Sequence, residues 1–352
     1  MYRNTYVEID LKNINNNVKK IINQFNDYKY YFGVVKADCY GHNDIKVINE
    51  IINAGCNYLA VATLDEALEI REYLKDIPIL CLGITPIEYM DECIKNNITI
   101  TISNLEYLRN LLKINPNNLK VHIKLNTGMN RLGINNKEDF NTAYNLIKNS
   151  NLILEGIYTH IYDAMNETSY NNQIKNFENI SQDINLNDTL IVHISASDAT
   201  INYKKPEYVN GCRLGIAMYG LSENDTLNLL PTFSLYSEVI QINDVENETV
   251  GYSGNYFANG KQKIAVIPIG YADGIIRKNT GRHVYINNTK YEIVGNICMD
   301  MLFVKVDENV KVHDKVTIIK DINHIKEISK HLDTIPYEVL CSISKRVPRI
   351  YK

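Results

Sequence analysis

Residues Val34-Val-Lys-Ala-Asp-Cys-Tyr-Gly-His42 follow the apolar run Tyr30-Tyr-Phe-Gly33, so a strand-length segment ends in a lysine, Lys36. Lysine is rarely fully buried without a partner. At the end of a buried strand its amine can reach a site that is dry yet open to a ligand. Desolvation there favours the neutral amine, a base or nucleophile. A lysine that snorkels to solvent would fit the same position. Lys124, His160, His193 with Ser197, and Arg213 likewise stand at the ends of apolar runs. The segment Lys124-Leu-Asn-Thr-Gly-Met-Asn-Arg-Leu-Gly133 reads as a glycine turn that presents Arg131. A fixed guanidinium suits a phenolate or carboxylate oxygen, and an exposed arginine after a turn is the plain alternative. Neither histidine has a second ligand at i+2 to i+4, so no metal is expected. Gly215 permits close backbone approach, by which its N–H and that of Ile216 can bind phosphate oxygens.

The elements that must position these residues alternate. Strand-like runs at 32–36, 58–63, 77–83, 98–103, 120–126, 154–160, 190–197 and 212–217 are separated mostly by helical patterns, such as 64–74 with Leu64, Leu68, Ile70 and Leu74 on one face. Eight strand–helix units predict an α/β fold, a (β/α)8 TIM-like barrel, whose active site lies at the C-terminal ends of the strands. After residue 232 the runs 234–242, 263–268, 283–286, 291–294 and 301–306 come close together between glycine and asparagine turns, with little helical pattern. This predicts a barrel over 10–232 and a smaller β-rich C-terminal domain over 233–352, joined by an N-terminal strand within 1–9.

Composition narrows the function classes. The chain has 352 residues, 45% of them hydrophobic, enough for two domains with sizeable cores. A formal net charge of −4 gives no electrostatic case for nucleic acid or an anionic membrane surface. The seven cysteines are odd in number and form no Cys-x-x-Cys pair. With no signal peptide legible before them, they are expected to be reduced thiols of a cytoplasmic protein. No apolar run approaches the roughly 18 residues of a membrane span.

The run Val34 to His42 resembles the lysine motif of the alanine racemase family, pyridoxal 5'-phosphate enzymes in which this lysine holds the cofactor as a Schiff base. The resemblance covers nearly the whole chain, with its motifs in family order. It implies that Lys36 carries the cofactor and that Tyr40, Ser197, Gly215, Ile216 and Tyr337 contact its phosphate. It places Arg131 near the phenolic oxygen and the substrate carboxylate. It sets Arg213, in Arg213-Leu-Gly-Ile-Ala-Met-Tyr-Gly220, at the pyridine nitrogen, with His160 and His193 in support. In several relatives the lysine equivalent to Lys124 is carbamylated, which turns a cation into an anion that orients the arginine. Two departures stand out: Asn126 replaces a common aspartate, and Ala196 an asparagine before the serine. Gly251-Tyr-Ser-Gly-Asn-Tyr256 matches the loop of the family's second base, Tyr256. Gly270-Tyr-Ala-Asp-Gly274 and Ile297-Cys-Met-Asp300 match substrate-side segments holding Tyr271, Cys298, Met299 and Asp300.

The activity so implied is racemisation of alanine, supplying D-alanine for peptidoglycan. Lys36 serves one face of the substrate and Tyr256 the other, in a homodimer with shared active sites. A permanent cation at the pyridine nitrogen disfavours ring protonation, which favours racemisation over decarboxylation or transamination. Serine racemisation is the nearest alternative, since an apolar pocket rejects an added hydroxyl only weakly. A decarboxylase of this fold would place an acid where Arg213 stands. A non-catalytic pyridoxal-phosphate carrier would lack residues 250–350.

Overall fold

The computed structural model describes residues 2–43, 45–186 and 189–352. The first strand, β1 (Tyr6–Ile9), leaves at once for the second sheet. The next eight, β2 (Tyr30–Val34), β3 (Tyr58–Val61), β4 (Ile79–Cys81), β5 (Ile98–Ile102), β6 (Lys120–Lys124), β7 (Ile153–Tyr158), β8 (Ile191–Ala196) and β9 (Gly211–Leu214), close in sequence order into a parallel barrel. Most of their residues are buried on both faces, as a helix-wrapped parallel sheet requires. The helix Leu64–Tyr73 starts at a capping box, with Thr63 Oγ1 accepting from Glu66 N and the Glu66 carboxylate accepting from Thr63 N. Such a cap stabilises a helix by about 1 kcal/mol.

The remaining strands are β10 (Phe233–Glu238), β11 (Gln241–Val250), β12 (Tyr256–Ile267), β13 (His283–Ile286), β14 (Thr289–Val294), β15 (Leu302–Val306), β16 (Lys315–Ile319) and β17 (Arg349–Tyr351). With β1 they form a nine-stranded sheet in the order β11-β12-β15-β14-β13-β16-β10-β1-β17. The fold is thus a (β/α)8 barrel followed by a separate β-rich domain. The expected single strand 234–242 is two. At Val239–Ile240 the chain exchanges its partner β16 for β12, since Glu238 pairs with Lys315 and Gln241 with Val266. This domain is also more helical than its turn-rich sequence predicts. Ile322–Leu332 is capped by Asp321 and buries Ile325 and Ile328, and Pro336–Cys341 follows it. The second helix matters for function, because it carries Tyr337 into the barrel mouth.

Candidate active site

Strand β2 stops at Val34, so Lys36 lies two residues beyond the strand and not at its end as expected. It opens a turn of unusual hand: Ala37, Asp38, Cys39 and Tyr40 all have φ between 51° and 55°. A left-handed conformation costs an L-residue roughly 1–2 kcal/mol. The turn persists because its surroundings hold it. Glu66 accepts from Ala37 N (2.7 Å) and Ala62 N (2.7 Å). Arg349 donates to Gly41 O from Nε (3.1 Å) and Nη2 (3.0 Å). Gly41 itself (φ 81°) has no room for a Cβ, which would sit 2.4 Å from Leu340 O. Both domains therefore clamp the turn that presents Lys36, a strained backbone of the kind found at functional sites.

Lys36 opens into a cavity of about 490 Å3 at the C-terminal end of the barrel. Tyr40, Lys124, Arg131, His160, Ser197, Arg213, Gly215, Ile216 and Tyr337 line it too, so the structure brings these predicted residues together. Burial, then the Arg131 charge, hold the Lys36 amine below its ordinary pKa, opposed by Glu66. Lys124 is almost fully buried over the Tyr158 ring (4.8 Å), and desolvation with Arg213 and Arg131 nearby lowers it to about 7. Burial pulls His160 well below its usual range, aided by Arg213 and Lys124, so the ring is neutral.

Arg213 is buried on β9 and desolvation lowers it to about 10. Its Nη1 donates to His193 Nδ1 (2.8 Å) and His193 O (3.0 Å). Its Nη2 donates to Thr159 O (2.8 Å) and Ile194 O (2.9 Å) and lies 3.1 Å from His160 Nδ1. Only Nε is left without a partner among the described residues. His193 departs from expectation: it sits mid-strand on β8, fully buried beneath Arg213, and does not line the cavity.

On the opposite wall Ser197 Oγ accepts from Gly215 N (2.9 Å), so that N–H, expected to face a phosphate, is already engaged. The Tyr40 and Tyr337 hydroxyls, by contrast, have no partner among the described residues, and their rings lie 6.0 Å apart. A Cβ on Gly215 would stand 3.0 Å from the Tyr40 hydroxyl, a tight contact at the cavity wall. Arg131 makes no hydrogen bond or ion pair with a described residue. The Asn126 side chain organises its loop, accepting from Asn130 N (2.8 Å) and donating to Asn130 Oδ1 (3.0 Å) and Asn135 Oδ1 (2.6 Å).

Four cationic side chains therefore converge with one carboxylate, Asp198, which already accepts from Ser222 Oγ (2.6 Å). Uncompensated positive charge in a closed site, beside free phenolic donors, fits an anionic ligand with separate phosphate and carboxylate ends. No group of three or more metal-ligating side chains exists among the described residues.

Tyr256, Tyr271, Cys298, Met299 and Asp300 do not line this cavity in the single chain. Tyr256 donates to Gln262 Oε1 (2.6 Å), and Asp300 pairs with Arg346 (2.8 Å). The 270–274 turn packs on 298–299 through Tyr271 N to Cys298 O (3.0 Å) and Ala272 N to Met299 O (3.0 Å). Sequence reasoning missed Glu66, Tyr158 and His122. Thr63-x-x-Glu66 was legible as a capping box, but its grip on the Lys36 turn was not. Nothing in the sequence distinguished Tyr158 or His122 from ordinary core residues.

The barrel, the strained lysine turn and the cationic cavity define a barrel enzyme whose site suits an anionic cofactor and a small carboxylate-bearing substrate. Residues 9–223 match the family described as alanine racemase, N-terminal domain, and residues 232–351 alanine racemase, C-terminal domain. The alanine racemase of Staphylococcus epidermidis is 33% identical over 99% of this chain and 95% of its own. That of Ligilactobacillus salivarius is 35% identical over 100% and 99%. The crystal structure of alanine racemase from Bacillus anthracis with bound L-Ala-P superposes with a TM-score of 0.93 at 32% identity, covering 100% of this chain and 96% of that one. The chain belongs to the alanine racemase family, whose members are pyridoxal-phosphate-dependent isomerases.

Proposed function

We propose that this chain interconverts L- and D-alanine and thereby supplies D-alanine for peptidoglycan in the cytoplasm. The observation that carries this reading is the Lys36 amine, half-buried with a lowered pKa in a cavity of otherwise unpaired cations. Pyridoxal phosphate fits the residues present. Tyr40, Ser197, Tyr337 and the Ile216 N–H would hold its phosphate, Arg213 Nε its ring nitrogen, and Lys36 Nζ its carbonyl carbon. Bound, the cofactor supplies an electron sink that acidifies the substrate Cα–H. Arg131 holds the substrate carboxylate. Once the substrate amine has taken its place on the cofactor's carbonyl carbon, the freed Lys36 Nζ would remove or return the α-proton on one face, a task that its lowered pKa favours. Leu82, Ile161 and Leu132 wall the cavity and limit water.

The second base in this reading is the partner subunit's Tyr256, since Tyr256 does not line the cavity of its own chain. We infer a homodimer with shared active sites, built from a barrel at 10–232 and a second domain at 233–352 completed by strand 1–9. Supporting it, the second-domain segments beside Tyr256 and Met299 expose large apolar side chains: Tyr252 at 72%, Phe257 at 56%, Met299 at 53%, and Tyr271 and Met301 at 42%. Apolar surface of that extent marks a contact face. Tyr271, Cys298 and Asp300 would border the substrate from that side, and Met299 would contact it. The test is to incubate the purified protein with L-alanine and pyridoxal phosphate in deuterated water and resolve the products chirally. Deuterated D-alanine is expected. Absence of exchange and of D-isomer would overturn the reading.

A further inference from the structure

Behind Arg213 a chain of hydrogen bonds runs down the barrel interior, away from the cavity. His193 Nε2 lies 2.9 Å from His122 Nδ1, and His122 Nε2 lies 3.2 Å from Glu155 Oε2. Glu155 sits near the start of β7, at the opposite end of the barrel from the cavity. The protons can be assigned from one end. Arginine only donates, so His193 Nδ1 accepts. A neutral imidazole then carries its proton on Nε2, which donates to His122 Nδ1. By the same rule His122 donates from Nε2 to the Glu155 carboxylate. Every bond points toward Glu155, and both rings are neutral.

The surroundings are built for this arrangement. Both imidazoles are fully buried, and burial lowers both pKa values. His193 stacks between Phe32 (4.5 Å) and Tyr158 (4.6 Å). Gly156 faces His122, and a Cβ there would lie 2.6 Å from His122 Cε1. The β6–β7 register shifts at His122 and the β8–β9 register after His193. Glu155 also accepts from Tyr58 Oη (2.6 Å) and Thr99 Oγ1 (3.0 Å), with Lys120 Nζ at 3.7 Å outside. These donors and His122 hold its carboxyl at about 2 against desolvation.

We propose that Glu155 is a positioning residue for Arg213, acting through the neutral pair His122 and His193. Its charge holds the His122 proton on Nε2, which leaves His122 Nδ1 to accept from His193 and His193 Nδ1 to accept from Arg213, so the far end of the chain enforces the direction that Arg213 needs and Nη1 and Nη2 are locked while Nε is turned to the cavity. Were the chain reversed, His193 Nδ1–H would meet an Arg213 N–H, donor against donor, and the guanidinium would have to move. The catalytic consequence rests on the function proposed above; the tautomers do not.

The test is Glu155→Gln, which keeps size but removes the charge that sets direction. In the wild-type holoenzyme, 15N NMR of labelled histidine should show Nδ1 unprotonated and Nε2 protonated in both residues between pH 6 and 9. In Glu155→Gln a second tautomer should appear at His122. The kcat for alanine should fall roughly ten-fold, the size seen when an outer partner of a functional imidazole is lost, with KM within about two-fold. Lys120→Ala, which touches Glu155 only from outside, should leave tautomers and kcat unchanged. The proposal is overturned if the wild-type protein carries Nδ1 protons. It is also overturned if Glu155→Gln keeps wild-type tautomers, whether or not kcat falls. Expected tautomers in a protein without racemase activity would refute the proposed function and leave the relay standing.

Discussion

Lys124 offers the sharpest check on the electrostatics of the cavity. Its side chain is 4% exposed, no described carboxylate pairs with it, and its pKa falls from 10.5 to about 7. A lysine whose folded pKa is depressed penalises the folded state wherever it must carry its proton. The penalty is full below pH 7, shrinks as pH rises and vanishes above 10.5. Each pKa unit is worth about 1.4 kcal/mol. Linkage then gives a cost of roughly 5 kcal/mol at pH 6 and roughly 1 to 2 kcal/mol at pH 9.5. Lys124→Met keeps the length and apolar stem without the charge. In carbonate-free buffer the cofactor-free variant should be more stable than wild type at pH 6 by about 3 to 5 kcal/mol. That margin should shrink by about 3 kcal/mol at pH 9.5, read by urea unfolding. Activity should fall, because the resemblance implies that a carbamylated Lys124 orients Arg131, and Met cannot be carbamylated. Added bicarbonate should stabilise only the wild type if the neutral amine takes up carbon dioxide and presents an anion to the neighbouring arginines. A stability difference that is the same at both pH values would refute the reasoning.

Borohydride reduction of the yellow holoenzyme should fix the cofactor onto Lys36, and peptide mapping that finds it on Lys124 or elsewhere would remove the assignment. Tyr256→Phe should slow racemisation unequally, with α-proton exchange surviving longer from one enantiomer; equal near-wild-type rates from both would exclude Tyr256 as a base. Arg213→Glu should weaken racemisation and raise transamination, detected as pyruvate release; unchanged partitioning would mean that Arg213 does not govern the ring. Alanine should exceed serine in kcat/KM without excluding it, because an apolar wall discriminates against a hydroxyl by only about 100-fold; a ratio favouring serine would change the substrate and leave the fold and cofactor assignments in place.

The barrel was legible because its strands are buried on both faces, and several, such as Tyr58–Val61 and Ile79–Cys81, read as continuous apolar runs. Lys36, Lys124, His160, Ser197 and Arg213 were legible because each ends or follows such a run, whereas Tyr40 and Tyr337 were legible only through the family motifs. What escaped was long-range. The break at Val239–Ile240 depends on which strand lies alongside, and no local pattern encodes that. The helix Ile322–Leu332 was readable from Ile325, Ile328 and Leu332, yet the surrounding turns masked it. His193 was expected at a strand end in support of the ring, but it lies mid-strand in the barrel core, because β8 extends to Ala196 and β9 joins it there through a register shift. The left-handed turn at 37–40 was not legible at all. Its sequence has one glycine, at its exit, and its conformation is imposed by Glu66 and Arg349 from distant parts of the chain.

That turn and the cation cluster have a common logic. Four residues in the left-handed region cost roughly 4–8 kcal/mol together, and an unpaired buried lysine costs several more. Neither contributes to stability, and both concentrate at the cavity. The barrel tolerates them because its far end is well satisfied: Glu155 gathers His122, Tyr58 and Thr99 into one network. A site of this kind is destabilised by design when empty and gains most when an anionic ligand arrives. Cofactor binding should therefore stabilise the barrel far more than the second domain, apart from the helix that carries Tyr337.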